Sequence, residues 1–340
     1  MKKNLFLLFL FFMTSASFAQ KQEKTTPFWG KQEVYLVNQT EKIFRLVDVL
    51  LKENMPSVGE PALARKSALL LLDGIFHDTR LDGSKVLSDF ADVRLNSVLE
   101  DLKLPLTEGM KVYKLYNDGF IVRTKSATVA FDLYRGGKMK EGGHLISDGK
   151  MRAIAEQCDI MFLSHNHPDH VDPVVVKMFT DAGKEVVAPT DVLMGNGAVT
   201  HVRSEQIMDK KFKLKRSKLK VKILPGHQSE MMNNIHVVTT SEGFTFVQTG
   251  DQYNKEDLKW LLTVYKKIPE VDVLMINCWA NRLSDTIDGF NPKLVLTGHE
   301  NELGHTIDHR ESYWASYVKL EDVRKPNCLM TWGECFWYKK

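Results

Sequence analysis

The stretch Phe162–Asp172, FLSHNHPDHVD, places three histidines and an aspartate within six positions, His165 to His170. It follows the apolar run DIMFLS (Asp159–Ser164), which reads as a buried strand. The end of a strand, where the chain turns into a loop, is where α/β proteins place function. Alternation along the strand sends His165 and His167 the same way. The turn at Pro168 then lets Asp169 and His170 aim at a neighbouring position. Two nitrogens converge on one point, and one oxygen and one nitrogen on a second. Such a cluster suits two borderline metal ions about 3.5–4 Å apart.

Two ions need further ligands from elsewhere in the chain, and three phrases offer them. ILPGH ends on His227, VQTGD on Asp251 and VLTGH on His299. All three share one syntax: an apolar strand, a glycine, then a residue with a ligating side chain. The glycine lets the backbone turn sharply and come close to a metal. A purely structural zinc is not indicated, since such sites close four ligands, often thiolates, around one ion. None of Cys158, Cys278, Cys328 and Cys335 falls inside these phrases. The cysteines read as small buried apolar residues, with Cys328–Cys335 the one pairing worth naming. His236 sits inside a strand rather than at its end, so the later-histidine role goes to His227. His77, His144 and His201 have no partner visible in sequence. Glu300, His305 and Arg310 follow His299 closely and are candidates for touching substrate or orienting ligands.

Outside the motifs the chain divides by period. From Lys31 to Leu104 the pattern is helical: Ile43, Leu46, Val47, Leu50, then Ala68, Leu71, Leu72, Ile75, then Ala91, Leu95, Val98, Leu99, Leu102. After Pro105 the period becomes two, and Val112–Leu133 reads as three short strands turning at Asn117–Gly119 and Lys125–Ser126. Asp172-Pro173 caps a helix that ends near Gly183. KEVVAP is a strand, and hairpins follow over 211–223 and 235–249. A helix over 256–267, the strands VDVLMINC and KLVLTG, and a closing strand CLMTWGECFWY complete the pattern. The basic hairpin KKFKLKRSKLKVK (Lys210–Lys222) reads as a solvated face that discourages edge pairing. No internal repeat is evident. Strands mixed with helices point to a layered α/β domain.

The composition is that of an ordinary globular protein, 43% hydrophobic and 26% charged, with a net charge of +3 that asks for no nucleic-acid partner. Met1-Lys2-Lys3, the apolar run Leu5–Met13 and Ser17-Phe18-Ala19 read as a secretory leader over residues 1–19, cut near Ala19/Gln20. The run is short of the about 20 residues that a membrane span needs. The expectation is an exported protein, periplasmic or secreted, with no stable membrane span.

The ordered set H-x-H-x-D-H, His227, Gly-Asp251 and Gly-His299 resembles the metallo-β-lactamase-fold hydrolase superfamily over residues 106–340, leaving 20–105 as a helical extension. The phrases look most like the branch of ascorbate-6-phosphate lactonase and the phospholipase-D-type N-acylethanolamine enzymes. The resemblance implies an α/β fold, an αββα sandwich with two metals between two β-sheets. One ion would take His165, His167 and His227; the second, Asp169, His170 and His299; Asp251 would bridge them. Asp132, closing TVAFD, matches an early strand-end aspartate that supports the site without ligating. Two divalent ions are expected, zinc first, with manganese or iron compatible with the same N/O set. One zinc lowers the pKa of bound water from about 15.7 to about 7. The expected nucleophile is therefore a metal-bridging hydroxide held by Asp169, attacking an ester, lactone, amide or phosphodiester. The expected partner is a small-molecule or lipid-like substrate. Two alternatives stay open. One is a β-lactam hydrolase, against which Asp251 weighs, since lactamases of this fold do not bridge with aspartate. The other is a non-catalytic metal-containing binding protein.

Overall fold

Side chains along the central strands alternate between two hydrophobic environments. Met110 and Val112, Phe120 and Val122, Val129 and Phe131, Ile160 and Phe162 point into one core; their strand neighbours Tyr113, Ile121, Ala130 and Met161 point into another. A strand buried on both faces reads as a nearly continuous apolar run, as these do. The computed structural model describes residues 30–203 and 205–340, so the leader expected over residues 1–19 lies outside the described residues.

The strands are β1 (Met110–Lys114), β2 (Phe120–Arg123), β3 (Thr128–Phe131), β4 (Ile160–Phe162), β5 (Glu185–Ala188), β6 (Thr200–His201), β7 (Met208–Lys213), β8 (Lys218–Gln228), β9 (Met231–Thr239), β10 (Thr245–Gln248), β11 (Val273–Asn277), β12 (Leu294–Gly298), β13 (Asn327–Cys328) and β14 (Glu334–Tyr338). They form two seven-stranded sheets, ordered β14-β1-β2-β3-β4-β5-β6 and β13-β12-β11-β10-β9-β8-β7. Each sheet runs through antiparallel pairings and then parallel ones, with the change at β3 in the first and at β10 in the second. The two halves thus share a polarity pattern without sharing sequence. The inner core joins Phe131 and Phe162 of the first sheet to Phe246, Met275 and Leu296 of the second.

Helices cover the outer faces. They are α1 (Gln32–Glu53), α2 (Leu63–Phe76), α3 (Lys85–Lys103), α4 (Asp148–Gln157), α5 (Pro173–Asp181), α6 (Leu258–Leu261), α7 (Leu283–Phe290) and α8 (Tyr313–Glu321). None is long and apolar enough to cross a membrane. The cap expected for α5 is present: the Asp172 side chain accepts from Val174 N and Val175 N. The expected stripe of α3 is buried in full, but α1 is rotated. Its buried residues are Thr40, Phe44, Val47 and Leu51, while Leu46 is 51% exposed. Phe44 decides this by stacking on Phe90 of α3 at 4.0 Å. The helix expected over 256–267 is broken into α6 and a separate 3-10 turn, Val264–Lys266. The closing strand is also broken. CLMTWGECFWY splits between β13 in the second sheet and β14 in the first, turning at Gly333, whose φ is 77°. A side chain there would collide with the Arg94 backbone. All four cysteines are unpaired, and Cys158, Cys278 and Cys328 are buried.

The three N-terminal helices are fastened to this C-terminal segment by charge as well as by packing. Arg65 of α2, 3% exposed, grips both Glu334 carboxylate oxygens at 2.8 and 2.6 Å and also donates to Leu329 O. Burial would raise the Glu334 pKa, but Arg65 outweighs it and holds the carboxylate below its ordinary range. Arg94 of α3 donates to Trp332 O, and Phe76 stacks on Trp332 at 4.4 Å. Removing one partner of a buried ion pair leaves the other charge uncompensated, at a cost of about 3–5 kcal/mol. Glu334→Gln is therefore expected to lower the unfolding free energy by about that amount in urea titrations at pH 7. Because the folded-state pKa of Glu334 is depressed, its contribution is present above the ordinary carboxylate pKa and lost as pH falls through the depressed value. The gap between wild type and variant should close below about pH 4.

Candidate metal centre

The parallel strands of both sheets end at one edge of the sandwich, and the ligand-type residues sit at those ends. β3 is followed by Asp132, β4 by the histidine motif, β10 by Asp251, and β12 is followed by His299. The motif loop is tight: His170 N and Val171 N both donate to His167 O. This returns His170 to the side occupied by His165, and the two rings lie 4.3 Å apart.

Three overlapping groups of donor atoms result, each with its atoms within 4.8 Å of one another; the third is Asp118, Asp132 and His170, and two join the motif to the later strand ends: His165, His170 and Asp251, and Asp169, His170 and His299. Asp251 Oδ2 lies 3.5 Å from His165 Nε2, 3.3 Å from His170 Nε2 and 3.5 Å from His299 Nε2. Asp169 Oδ2 lies 3.2 Å from His299 Nε2 and 3.6 Å from His170 Nε2. His165 Nε2, His170 Nε2, His299 Nε2 and Asp251 Oδ1 are buried without a hydrogen-bond partner. Buried polar atoms are almost always paired. Four unpaired ones converging on a shared space, all good donors to zinc, manganese or iron, fit a metal centre.

The opposite ring nitrogens of His165 and His170 are occupied. His165 Nδ1 meets Ser164 Oγ at 2.8 Å, and His170 Nδ1 meets Asp132 Oδ2 at 3.0 Å. Asp132 also accepts from Ser164 N, Ser164 Oγ and Gln248 Nε2. A carboxylate behind an imidazole fixes its tautomer and leaves Nε2 free for a metal. Burial opposes charge on His170, yet Asp251 and Asp169 outweigh it and hold its pKa well above the usual histidine range; His299 is raised in the same way by Asp251 and Asp169. Burial and the neighbouring His170 push His165 down to about 3.

His167 and His227 belong to none of these groups. The His167 ring is 4.6 Å from that of His165 on a half-exposed loop position. His227, at the end of β8, turns Nδ1 toward Asp257 Oδ2 at 3.2 Å, and its side chain is 40% exposed. The first ion's expected trio is thus not assembled as written: the structure sets His170 and Asp251 beside His165.

The loop after β12 carries the residues expected to touch substrate or orient ligands, Glu300, His305 and Arg310. Glu300 is fully buried and paired with the equally buried Lys114 Nζ, which also donates to Thr297 O. Arg310 is 4% exposed; it donates to Phe76 O, Leu303 O and His305 O and pairs with Asp82. Both side chains are engaged within the protein, Glu300 by Lys114 and Arg310 by Asp82 and three backbone carbonyls. His305 does face the site: its Nε2 lies 3.9 Å from Asp169 Oδ2 and its ring stacks on His299 at 5.4 Å. His299 and Asn301 both adopt left-handed backbone conformations, φ 72° and 56°. For an L-residue that costs roughly 1–2 kcal/mol each, so the loop must be held from outside.

Of the three glycines before the ligands, only Gly250 makes the sharp turn expected, with φ 51°; what all three share is crowding by supporting residues. A side chain at Gly226 would meet Gln252 Oε1 at 2.2 Å, one at Gly250 would meet Ser164 Cβ at 2.4 Å, and one at Gly298 would meet Asp118 Oδ1 at 1.9 Å. Sequence reasoning missed several supporting groups. Asn117, read as a turn residue, donates to both Asp169 O and Asp169 Oδ2. Asp118, pushed up to about 8 by burial, accepts from Gln248 Nε2. Asn233 Oδ1 accepts from Asp251 N. The available signal was a polar residue inside an otherwise apolar strand end, as Gln248 is in TFVQTGD.

No protein-family model and no curated protein sequence matches the chain. Solved structures do match. One is a metallo hydrolase from the hyperthermophilic archaeon Ignicoccus hospitalis, with TM-score 0.50 and 12% identity, covering 68% of this chain and 99% of that one. Another is an isothiocyanate hydrolase from Delia radicum gut bacteria, with TM-score 0.50 and 11% identity, covering 68% and 100%. At these identities the likeness is one of fold, and the fold is the metallo-β-lactamase-type αββα sandwich.

Proposed function

We propose that this chain is an exported metal-dependent hydrolase that holds two divalent ions and cleaves an ester, lactone or phosphodiester. The observation that carries the reading is the set of buried, unpartnered atoms: three imidazole Nε2 atoms and Asp251 Oδ1. His165, His170 and Asp251 would hold one ion, with His167 and His227 reaching it from the loop and from β8. Asp169, His170 and His299 would hold the second, and Asp251 lies between the two groups. Ions there would supply a water deprotonated near neutral pH and would polarise the oxygen under attack.

The chain's own residues do the rest. Asn117 pins Asp169 by two bonds, so its carboxylate is aimed at the shared space, where it holds and orients the attacking water. Asp132 and Ser164 keep His170 and His165 turned inward. The wall beside His299 is aromatic: Trp279 meets the His299 ring edge-on at 5.4 Å, and Tyr253, 42% exposed, meets Trp279 at 5.5 Å. This supports a substrate with an apolar or planar portion, as the lipid-like substrates of the N-acylethanolamine enzymes have. Residues 1–19 are taken as the leader, 20–105 as the helical extension and 106–340 as the hydrolase domain.

Metal analysis of the purified protein is expected to find about two ions per chain. Asp169→Ala and His167→Ala should abolish turnover of a generic ester, lactone or phosphodiester. Full metal loading with no turnover across such a panel, lactams included, would identify a binding protein instead. Ion affinity should fall as pH falls, because His170 and His299 hold protons tightly against their carboxylates and must release them to ligate. Equilibrium dialysis across pH 5–8 checks the sign, and affinity independent of pH would contradict it. Trp279→Ala should raise KM for long-chain or aromatic esters about 10-fold, with kcat little changed, as expected when uniform binding is lost.

A further inference from the structure

We propose that Asp73, on α2 of the N-terminal helices, is a positioning residue for the His299 ligand and acts through Asn301. The inference rests on reading His299 as a ligand of the second ion. Asp73 is 8% exposed and lies near the carboxyl end of its own helix, where a negative charge is disfavoured by the helix dipole. Its partners lie elsewhere. It accepts from Tyr313 N at 2.8 Å and Trp314 N at 2.9 Å, at the amino end of α8, and from Asn301 Nδ2 at 2.9 Å.

The last bond is the informative one. Asn301 is two residues from His299, both have positive φ, and Glu300 between them is anchored to Lys114 in β1. The tripeptide is thus clamped from two sides, by the first sheet through Glu300 and by α2 through Asn301. A second tie runs parallel: Arg310 joins Phe76 O and Asp82 to Leu303 O and His305 O. With His299 Nε2 only 3.2 Å from Asp169 and 3.5 Å from Asp251, a small swing of this loop would open the second group while leaving the first intact.

Asp73 also caps α8, so the test must separate support of the fold from support of the site. Asn301→Gly does so: glycine keeps the positive φ without strain and removes only the side-chain bond. Cobalt(II) titration followed by visible absorption reads the two binding steps without reference to activity. Asn301→Gly and Asp73→Ala should weaken the second step about 10–100-fold, the scale seen when a ligand's supporting partner is lost. The first step should be unchanged, and the conservative Asp73→Asn, whose amide oxygen can still accept from Asn301 Nδ2 and Tyr313 N, should retain most of the second. An unchanged second step in Asn301→Gly and Asp73→Ala would overturn the inference and leave the metal-centre reading standing. His299→Ala is the control: if it leaves the second step intact, the ligand assignment itself fails, and the inference with it.

Discussion

The structure turns on two carboxylates that are taken out of water beside a knot of imidazoles. Asp251 is 1% exposed and faces His165, His170 and His299, with Gln228 Nε2 donating to it; Asp169 faces His170, His299 and His305. An isolated carboxylate is not tolerated in such a place. The buried lysine and arginines among the described residues are committed to other carboxylates: Lys114 to Glu300, Arg310 to Asp82, Arg135 to Asp172, Arg65 to Glu334 and Arg94 to Asp48. The charge must be balanced by protons on the histidines or by cations between them. The hydrogen bonds behind His165 and His170 decide in favour of inward-facing Nε2 atoms, which is the arrangement a metal requires.

The two sheets make this convergence possible. Each passes from antiparallel to parallel pairing, and each therefore ends several strands on the same edge of the sandwich. The loops leaving those ends carry the site, while the opposite turns carry none of its ligands. Loops so placed would drift without a rigid base. Here the base is polar as well as apolar: Asp132, Gln248 and Asp118 form a bonded chain beneath the donors, and Gly298 passes close enough to Asp118 that no other residue fits.

The N-terminal helices belong to the same system of support. Arg65 and Arg94 tie them to Glu334 and Trp332, and Asp73, His77 and Asp82 tie them to the loop that follows His299. Polar ties of this kind specify one arrangement more sharply than apolar contact, since each unpaired member is costly. The helices thus contribute to the geometry of a site whose ligand-type residues all come from later in the chain.

What could be read from the sequence were the features written in local spacing. The period of two gave β1 to β3, the strand-Gly-ligand phrases gave Asp251 and His299 their places, and H-x-H-x-D-H announced the donor cluster. These are decided by backbone geometry within a few residues, so a linear string carries them. The pairing of donors is different. That His170 would sit beside His165 while His227 turned to Asp257, that Lys114 would be buried in a strand to meet Glu300, and that the final stretch would divide between two sheets are outcomes of packing between residues far apart in the chain. Only the folded sandwich sets the distances and the burial on which these pairings depend. The sequence determined which chemistry was on offer, and the tertiary structure decided which atoms would share it.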